Sequence, residues 1–186
     1  MTREPILDHP TLALVKNQFP DLKLKATEFR GLATLIVPAP ELHAVMEFLR
    51  NDSACAYDFL SDVTAVDYLG YAAGSALGRF AVVYVLKSYA NDLELVVKTY
   101  LDPSCDTSGT EADPALTLDS VTDLWPGAEW TEREVFDMFG IRFRNHPDLR
   151  RILCWESYPA HPLRKDYPLH GRGERENYRV VEREHA

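Results

Sequence analysis

The chain has 186 residues, of which 46% are hydrophobic, and its formal net charge is −9. A chain of this length can bury a core of its own, so we expect one domain with a terminal extension. Acidic residues outnumber basic ones by 22 to 10 in residues 1–139, whereas basic residues lead by 10 to 7 in residues 140–186. The acidic part repels nucleic acid and anionic lipid, which argues against binding to either.

The sequence carries no pattern typical of targeting, membrane insertion or cofactor binding. The polar opening segment predicts no signal peptide, and no apolar run approaches the roughly 18–20 residues of a membrane span. Cys55, Cys105 and Cys154 are far apart, which predicts reduced thiols and no zinc or iron–sulfur site of the usual spacing. No glycine-rich loop joins a strand to a helix, so there is no dinucleotide fingerprint. We therefore expect this chain to bind no metal or cofactor itself.

The first third of the chain is predicted to hold two helices and a hairpin. Asp8 is suited to cap a first helix that has Pro10 in its first turn and Leu12, Val15 and Phe19 facing inward. Two strands, 22–29 and 32–37, join at Arg30-Gly31. Apolar residues at helical spacing then predict an amphipathic helix over 41–50.

The middle of the chain is predicted to be mostly strand. Residues 57–68 form a strand, residues 70–78 a loop, and residues 79–88 and 93–100 a second hairpin rich in valine. An acidic loop over 102–114 follows, and then helices over 118–124 and 128–139. This order of elements predicts an α+β body, residues 1–140, with helices packed on a mixed or antiparallel sheet in two layers.

Residues 141–186 are predicted to form an extended tail. Gly140 follows the last helix and is suited to the left-handed conformation that ends a helix, so it would aim the tail. Pro147, Pro159, Pro162 and Pro168 each exclude continued helix, yet apolar and basic residues remain frequent. A segment of this kind needs another surface to lie on, so we predict that it is poorly ordered from about Asn145 in the free protein and ordered on binding.

The end of the last helix and the tail carry a long signature. It comprises Glu132, Arg133, Glu134, Asp137, Gly140, Ile141, Phe143, His146, Pro147, Asp148, Leu149, Arg150, Arg151, Ile152, Leu153, Pro162, Leu163, Arg164, Lys165 and Asp166. In order and spacing it resembles the C subunit of proton-pumping NADH:quinone oxidoreductase, respiratory complex I. Weaker resemblance lies in Asp62-Val63-Thr64-Ala65-Val66-Asp67-Tyr68 and around Arg79-Phe80.

The resemblance implies a role as one part of a larger enzyme. It implies a non-catalytic structural subunit of the peripheral, cytoplasmic arm at the bacterial inner membrane. The tail would wrap the neighbouring large subunit that helps to form the quinone site. Flavin, iron–sulfur clusters and quinone would then belong to partner subunits, and the whole complex would transfer electrons from NADH to quinone with proton translocation. The corresponding subunit of a membrane-bound hydrogenase carries the same kind of motif and is an alternative.

Several signature residues admit more than one role. Glu132, Glu134 and Asp137 would suit acid–base catalysis, but capping, pairing and docking are favoured because perturbed carboxylates need an enclosed pocket. Arg133 and Asp137, at i and i+4, are spaced for an ion pair. His146 and His161 are interpreted as loop histidines that each make one hydrogen bond and not as metal ligands.

The basic and aromatic residues of the tail are interpreted as contacts. The pairs Arg150-Arg151 and Arg164-Lys165 suit carboxylates on another protein first, carboxylates of the chain's own body second, and nucleic acid last. Trp155 is the favoured interface anchor, whereas Trp125 and Trp130 suit core packing equally well. Two further hypotheses from other classes are a free-standing binding module with a basic tail and an autonomous hydrolase that uses the helix carboxylates.

Overall fold

The computed structural model describes residues 7–71 and 76–174. Three α-helices are present in this part of the chain: α1 (Pro10–Gln18), α2 (Leu42–Asn51) and α3 (Ala128–Phe139). The strands are β1 (Lys25–Phe29), β2 (Leu32–Ile36), β3 (Phe59–Asp67), β4 (Phe80–Ser88), β5 (Leu93–Leu101), β6 (Thr117–Asp119) and β7 (Arg142–Arg144). The 3-10 turn Ala39–Glu41 leads into α2.

The five longer strands form one mixed sheet in the order β1-β2-β5-β4-β3. Strands β2 and β5 are parallel, and the other neighbours are antiparallel. Inward-facing strand residues such as Leu35, Val97 and Tyr84 share one buried core with helix residues such as Val45 and Val135. The predicted two-layer α+β fold is therefore confirmed, with the helices on one face of the sheet.

The pattern of apolar residues accounts for how the helices dock. In α2, Leu42, Val45, Met46 and Leu49 recur at helical spacing and are all buried. One stripe of that kind drives a helix against a sheet, because only packing makes a short helix stable in water. The predicted inward face of α1 is also present, and Phe19 packs edge-on against Phe48 with ring centroids 5.8 Å apart.

Two details of the predicted elements are wrong. The residue before α1 is His9 and not Asp8, and its side chain makes no capping hydrogen bond. The predicted helix over 118–124 is instead strand β6 followed by a turn. Here Leu118 pairs with Phe143 of the parallel strand β7. Because both side chains enter the core, strand pairing outweighs the helical spacing of the local apolar residues.

The tail begins with β7 and then has no regular structure over residues 145–173. This agrees with the exclusion of helix by its prolines. The described part of the tail lies against the C-terminal end of α3, where the Leu163 N–H donates to the Met138 carbonyl at 3.1 Å. The end of α3 therefore organises the site described next.

Candidate interaction site

Helix α3 ends at Gly140, which is left-handed with φ 73° and ψ 18°. Its N–H donates to the Phe136 carbonyl at 2.8 Å, which closes the last turn. The left-handed conformation predicted for Gly140 is therefore confirmed. A Cβ on this residue would overlap the Arg164 guanidinium and lie 2.7 Å from the His161 ring, so glycine is required by space as well as by backbone conformation.

Near the end of α3, the Asp137 carboxylate accepts hydrogen bonds from the tail. Its Oδ2 accepts the consecutive N–H groups of Ile152, Leu153 and Cys154 at 3.0, 2.7 and 2.8 Å. Its Oδ1 accepts Arg151 Nη1 at 2.6 Å. Burial alone would raise the pKa of Asp137, but the N–H donors and Arg151 together lower it. The buried, ionised carboxylate of Asp137, surrounded by backbone N–H donors, thus holds residues 151–154 against the helix.

Arg151 and Arg133, which lie near the Asp137 carboxylate, also make hydrogen bonds within the chain. Arg151 Nη2 donates to the carbonyls of Tyr158 and Ala160 at 2.8 and 2.9 Å. Arg133 donates to the carbonyls of Arg150 and Arg151 at 3.2 and 3.1 Å. The predicted ion pair between Arg133 and Asp137 is wrong, because Arg151 takes the carboxylate and Arg133 turns to the tail backbone.

Arg164 is the second fastening point and is only 4% exposed. It donates through Nε to the Phe139 carbonyl at 2.6 Å and through Nη1 to the Thr107 carbonyl at 2.7 Å. Burial lowers the pKa of its guanidinium. Beside it, His161 donates from Nδ1 to the Asp137 carbonyl at 2.9 Å, and burial lowers its pKa to about 4. Arg164 therefore joins the tail, α3 and the acidic loop.

A third set of contacts ties the tail to the end of the sheet. Arg79 makes a bidentate ion pair with Asp67, donating from Nε at 3.0 Å and from Nη2 at 2.8 Å. The same Nη2 donates to Asp166 at 2.9 Å. Asp67 also accepts the Lys165 N–H at 2.8 Å. Burial would raise the pKa of Asp67, but Arg79 and the backbone donors together lower it. Asp67 and Arg79 are not among the predicted site residues, although both lie in the weaker resemblance.

Glu132 is the buried carboxylate of α3, and it faces the turn after β6. It accepts the Ser120 hydroxyl at 2.6 Å and the Val121 N–H at 2.9 Å. The His146 Nε2 lies 4.0 Å away, and both side chains are fully covered. Burial raises the pKa of Glu132 to about 7, although its hydrogen bonds oppose the shift. This carboxyl holds the β6 turn against α3, whereas its neighbour Glu134 is exposed.

Protonation of Glu132 predicts a specific dependence of stability on pH. A carboxyl with a raised pKa binds more protons in the folded chain, so its contribution to stability falls as pH rises from about 4.5 to about 7. Glu132→Gln keeps the shape without the titration. The free energy of unfolding of the parent minus that of Glu132→Gln should fall by about 3 kcal/mol between pH 4 and pH 8.

Urea unfolding at several pH values measures this difference. His161 has the opposite effect, because its lowered pKa makes the free energy of unfolding rise between about pH 4 and pH 6.5. This effect is the same in the parent and in Glu132→Gln, so it cancels in the difference. A difference that does not change with pH would contradict a protonated, buried Glu132.

The remaining signature residues divide into buried and exposed ones. Phe143 is in the core, and His146 donates from Nε2 to the Glu129 carbonyl at 3.1 Å. The His146 Nδ1 also accepts the Asp148 N–H at 3.1 Å, so His146 makes two hydrogen bonds, whereas His161 makes the single one that the sequence predicts. The exposed residues among them are Pro147, Asp148, Arg150, Leu153, Leu163, Lys165 and Asp166. Pro162 is half-buried, and Asp148 pairs locally with Arg150 at 2.7 Å.

The three tryptophans occupy different environments. Trp125 is buried and donates to the Tyr57 carbonyl at 3.1 Å, which makes it a core residue. Trp130 is 59% exposed and stacks with Arg133. Trp155 is 37% exposed and meets Tyr158 edge-on with ring centroids 4.5 Å apart. It lines a cavity of about 570 Å³ formed within the tail, together with Tyr158, Tyr167 and Glu174.

In the described part of the chain, no group of three or more His, Cys, Asp or Glu side chains is arranged to hold a metal ion. Across residues 7–71 and 76–174, no helix has the length and hydropathy needed to cross a bilayer. What these residues do share is a set of internal contacts that fasten the tail and leave several apolar side chains outward.

Comparison with known proteins identifies relatives over most of the chain. The family described as "Respiratory-chain NADH dehydrogenase, 30 Kd subunit" matches residues 35–173. The NADH-quinone oxidoreductase C subunit of Citrifermentans bemidjiense is 46% identical over 165 residues, which cover 89% of this chain and 91% of that protein. The protein of the same name from Roseiflexus castenholzii is 43% identical over 164 residues, covering 88% and 86%.

Two solved structures share the fold. The trypsin-resistant fragment (1-134) of Nqo5 superposes with a TM-score of 0.61 at 29% identity and covers 75% of this chain and 96% of its own. A chain of the membrane-bound sulfane sulfur reductase, described as an archaeal respiratory membrane complex, has a TM-score of 0.66 at 21% identity, with 93% and 92% covered. The second likeness concerns the fold alone.

Proposed function

Because the chain belongs to the family of the NADH-quinone oxidoreductase C subunit, the 30 Kd subunit of respiratory-chain NADH dehydrogenase, we propose that it is a non-catalytic structural subunit of that complex. It sits on the peripheral arm, at the cytoplasmic side of the bacterial inner membrane. It docks on the large subunit that helps to form the quinone site, and so supports electron transfer from NADH to quinone coupled to proton translocation.

The observation that carries this proposal is the way the signature residues are used. Asp137, Arg151 and Arg164 bond within the chain, whereas apolar side chains of the same tail point to solvent. The exposed fractions are 64% for Leu153, 37% for Trp155, 52% for Leu163 and 102% for Leu169. Clustered exposed apolar groups are typical of a protein interface, and a fastened tail presents them at a low entropic cost of binding.

The interface role predicted for Arg151 and Arg164 changes accordingly. Their hydrogen-bonding groups serve the chain's own backbone and Asp137, which is the second of the pairings considered from the sequence. We propose that these arginines act on assembly by shaping the tail. Leu153, Trp155 and Leu163 then make the contacts with the partner subunit.

We propose further that flavin, iron–sulfur clusters and quinone are bound by partner subunits. The free cysteines support this, since Cys55 is buried in the core, Cys105 is exposed on the acidic loop and Cys154 lies in the tail. The Nqo5 structure supports a body that forms a stable unit, because it is described as a trypsin-resistant fragment (1-134).

The test is to purify a tagged version of this chain from detergent-solubilised native membranes. The proposal predicts a fixed stoichiometry with flavin- and iron–sulfur-containing subunits, and NADH-dependent quinone reduction in the eluate. Hydrogen-dependent reduction without NADH oxidation would instead support the hydrogenase alternative. A chain recovered alone that binds an acidic ligand in a salt-sensitive way would support a free-standing binding module. Turnover by the isolated chain would overturn a non-catalytic role.

A further inference from the structure

The sheet has one face without a helix in the described part of the chain. Residues alternate along each strand, and those directed to the helices are buried in the core. The opposite side chains form a second face, which we call the open face. Its members from β2, β3, β4 and β5 are Leu32, Thr34, Ile36, Asp62, Thr64, Val66, Ala81, Val83, Val85, Lys87, Glu94, Val96, Lys98 and Tyr100.

The centre of the open face is apolar. Val85 lies opposite Val96 across β4 and β5, and Val83 lies opposite Lys98. On the other side of β5, Ile36 of β2 is paired with Lys98. A sheet face that meets water ordinarily carries polar side chains at these positions. A run of β-branched residues across three strands is instead typical of a covered surface.

Exposed aromatic residues extend the apolar character at both ends of the open face. At one end, Phe59 and Tyr89 are 45% and 61% exposed, and their ring centroids are 5.7 Å apart. At the other end, Tyr71 is 61% exposed and stacks on Tyr68, which in turn stacks on Tyr100. Aromatic residues around a flat apolar centre favour binding of a protein partner.

Lys98 is the cation at the centre of this face. Its Nζ donates to the Tyr68 hydroxyl at 3.3 Å and lies 5.9 and 6.0 Å from the ring centroids of Tyr68 and Tyr100. Among the described residues no carboxylate forms an ion pair with it, in contrast to Lys87, which pairs with Glu94 at 3.0 Å. A positioned cation in apolar surroundings is complementary to a carboxylate on a partner.

We infer that the open face is a second docking surface, occupied by another protein subunit that presents apolar side chains and a carboxylate to Lys98. This inference rests on the proposed membership of a multisubunit complex, but it concerns a surface separate from the tail. Lipid is a poor occupant because residues 1–139 carry 22 acidic against 10 basic residues. A second copy centred on Lys98 is also disfavoured, since a two-fold axis at that position would bring two Lys98 side chains together.

The test introduces Val83→Lys together with Val85→Lys into the tagged chain and measures its recovery in the complex from native membranes. The matched control is Asn17→Lys with Gln18→Lys, which adds the same charge to the exposed side of α1. We expect recovery of the open-face variant to fall by about tenfold, because charge is placed in a desolvated contact, while the control assembles like the parent. The isolated variants should retain the parent's circular-dichroism spectrum and a cooperative unfolding transition.

Two substitutions of Lys98 test the predicted carboxylate. Lys98→Glu should reduce assembly by about tenfold, whereas Lys98→Met, which keeps an apolar stem of similar length, should reduce it by about threefold or less. Equal recovery of both variants would overturn the charge complementarity. If the parent assembles and the Val83/Val85 variant does too, the open-face inference alone fails. If the parent itself does not co-purify with other subunits, the proposed function fails.

Two measurements on the isolated chain distinguish other occupants. Flotation with phosphatidylglycerol vesicles that is abolished by the Val83/Val85 substitutions would overturn the inference in favour of a lipid surface. A dimer in sedimentation equilibrium that the same substitutions dissociate would overturn it in favour of a second copy.

Discussion

Asp137→Ala should release the tail from an otherwise folded body. The substitution removes the acceptor of three consecutive N–H groups and leaves Arg151 without its carboxylate. Removing one partner of a buried charge pair costs about 3–5 kcal/mol, and here that cost falls on the contact between tail and helix. Hydrogen exchange of the amides of residues 152–154 should accelerate strongly, and recovery in the complex should fall with it.

Glu134→Ala is the matched control for Asp137→Ala. Glu134 is a carboxylate of the same helix, three residues earlier, but it is exposed. Its removal should change the free energy of unfolding by no more than about 0.5 kcal/mol and leave exchange in the tail unaltered. If Asp137→Ala leaves the amides of residues 152–154 as slow as in the parent, then Asp137 does not fasten the tail.

Gly140→Val should be the most damaging single change at the root of the tail. A left-handed conformation costs a residue with a Cβ about 1–2 kcal/mol, and more for a β-branched one. In addition, the new Cβ would overlap the buried Arg164 guanidinium and approach the His161 ring. Because both groups hold the tail, we expect a lowered melting temperature and a large loss of assembled complex.

Gly70 provides the control that separates conformation from space. It has φ +80°, close to the +73° of Gly140, and a Cβ on it would meet nothing within 4 Å. Gly70→Asn should therefore report the conformational cost alone. Gly140→Asn should be milder than Gly140→Val but clearly worse than Gly70→Asn, since any Cβ at position 140 meets the same groups. Equal effects of the two Asn variants would show that the packing of Arg164 does not constrain Gly140.

Local signals in the sequence are sufficient to predict helix α3 and its end. Its apolar residues recur at helical spacing, and Gly140 follows where a left-handed residue is needed. Strand β6 escapes prediction because Leu118, Val121 and Leu124 have the spacing of a helix. Residues 117–119 form a strand and not a helix because Leu118 pairs with the distant Phe143, which a local pattern does not reveal.

The partners of the charged residues are harder to predict than the residues themselves. Asp137 and Arg133 are four positions apart, which suggests an ion pair, but the carboxylate pairs instead with Arg151 of the tail at 2.6 Å. Asp67 at the end of β3 pairs with Arg79, which directly precedes β4, and Arg79 also bonds to Asp166, 87 residues further along the chain. Pairings of this kind depend on how the chain folds back, so composition and spacing do not contain them.

The order of the tail in the free protein is the point on which sequence and structure lead to different expectations. Its prolines alone predict disorder from about Asn145 until a partner binds. The hydrogen bonds made by Asp137 and Arg164 narrow that prediction, because they fasten residues 151–164 to the body. We therefore expect the backbone of residues 151–164 to be ordered in the free chain. Only the outward-facing side chains should become ordered when the partner binds.

Hydrogen exchange of the tail, compared between the isolated chain and the purified complex, tests the central claim most directly. The amides of Ile152, Leu153 and Cys154 should exchange slowly in both states, because Asp137 accepts them without a partner. The amides of Leu169 and His170 make no hydrogen bond within the described part of the chain, so they should gain protection only in the complex. Rapid exchange of residues 152–154 in the free chain, or no gain at residues 169 and 170 on assembly, would contradict a fastened tail that presents its apolar side chains to another subunit.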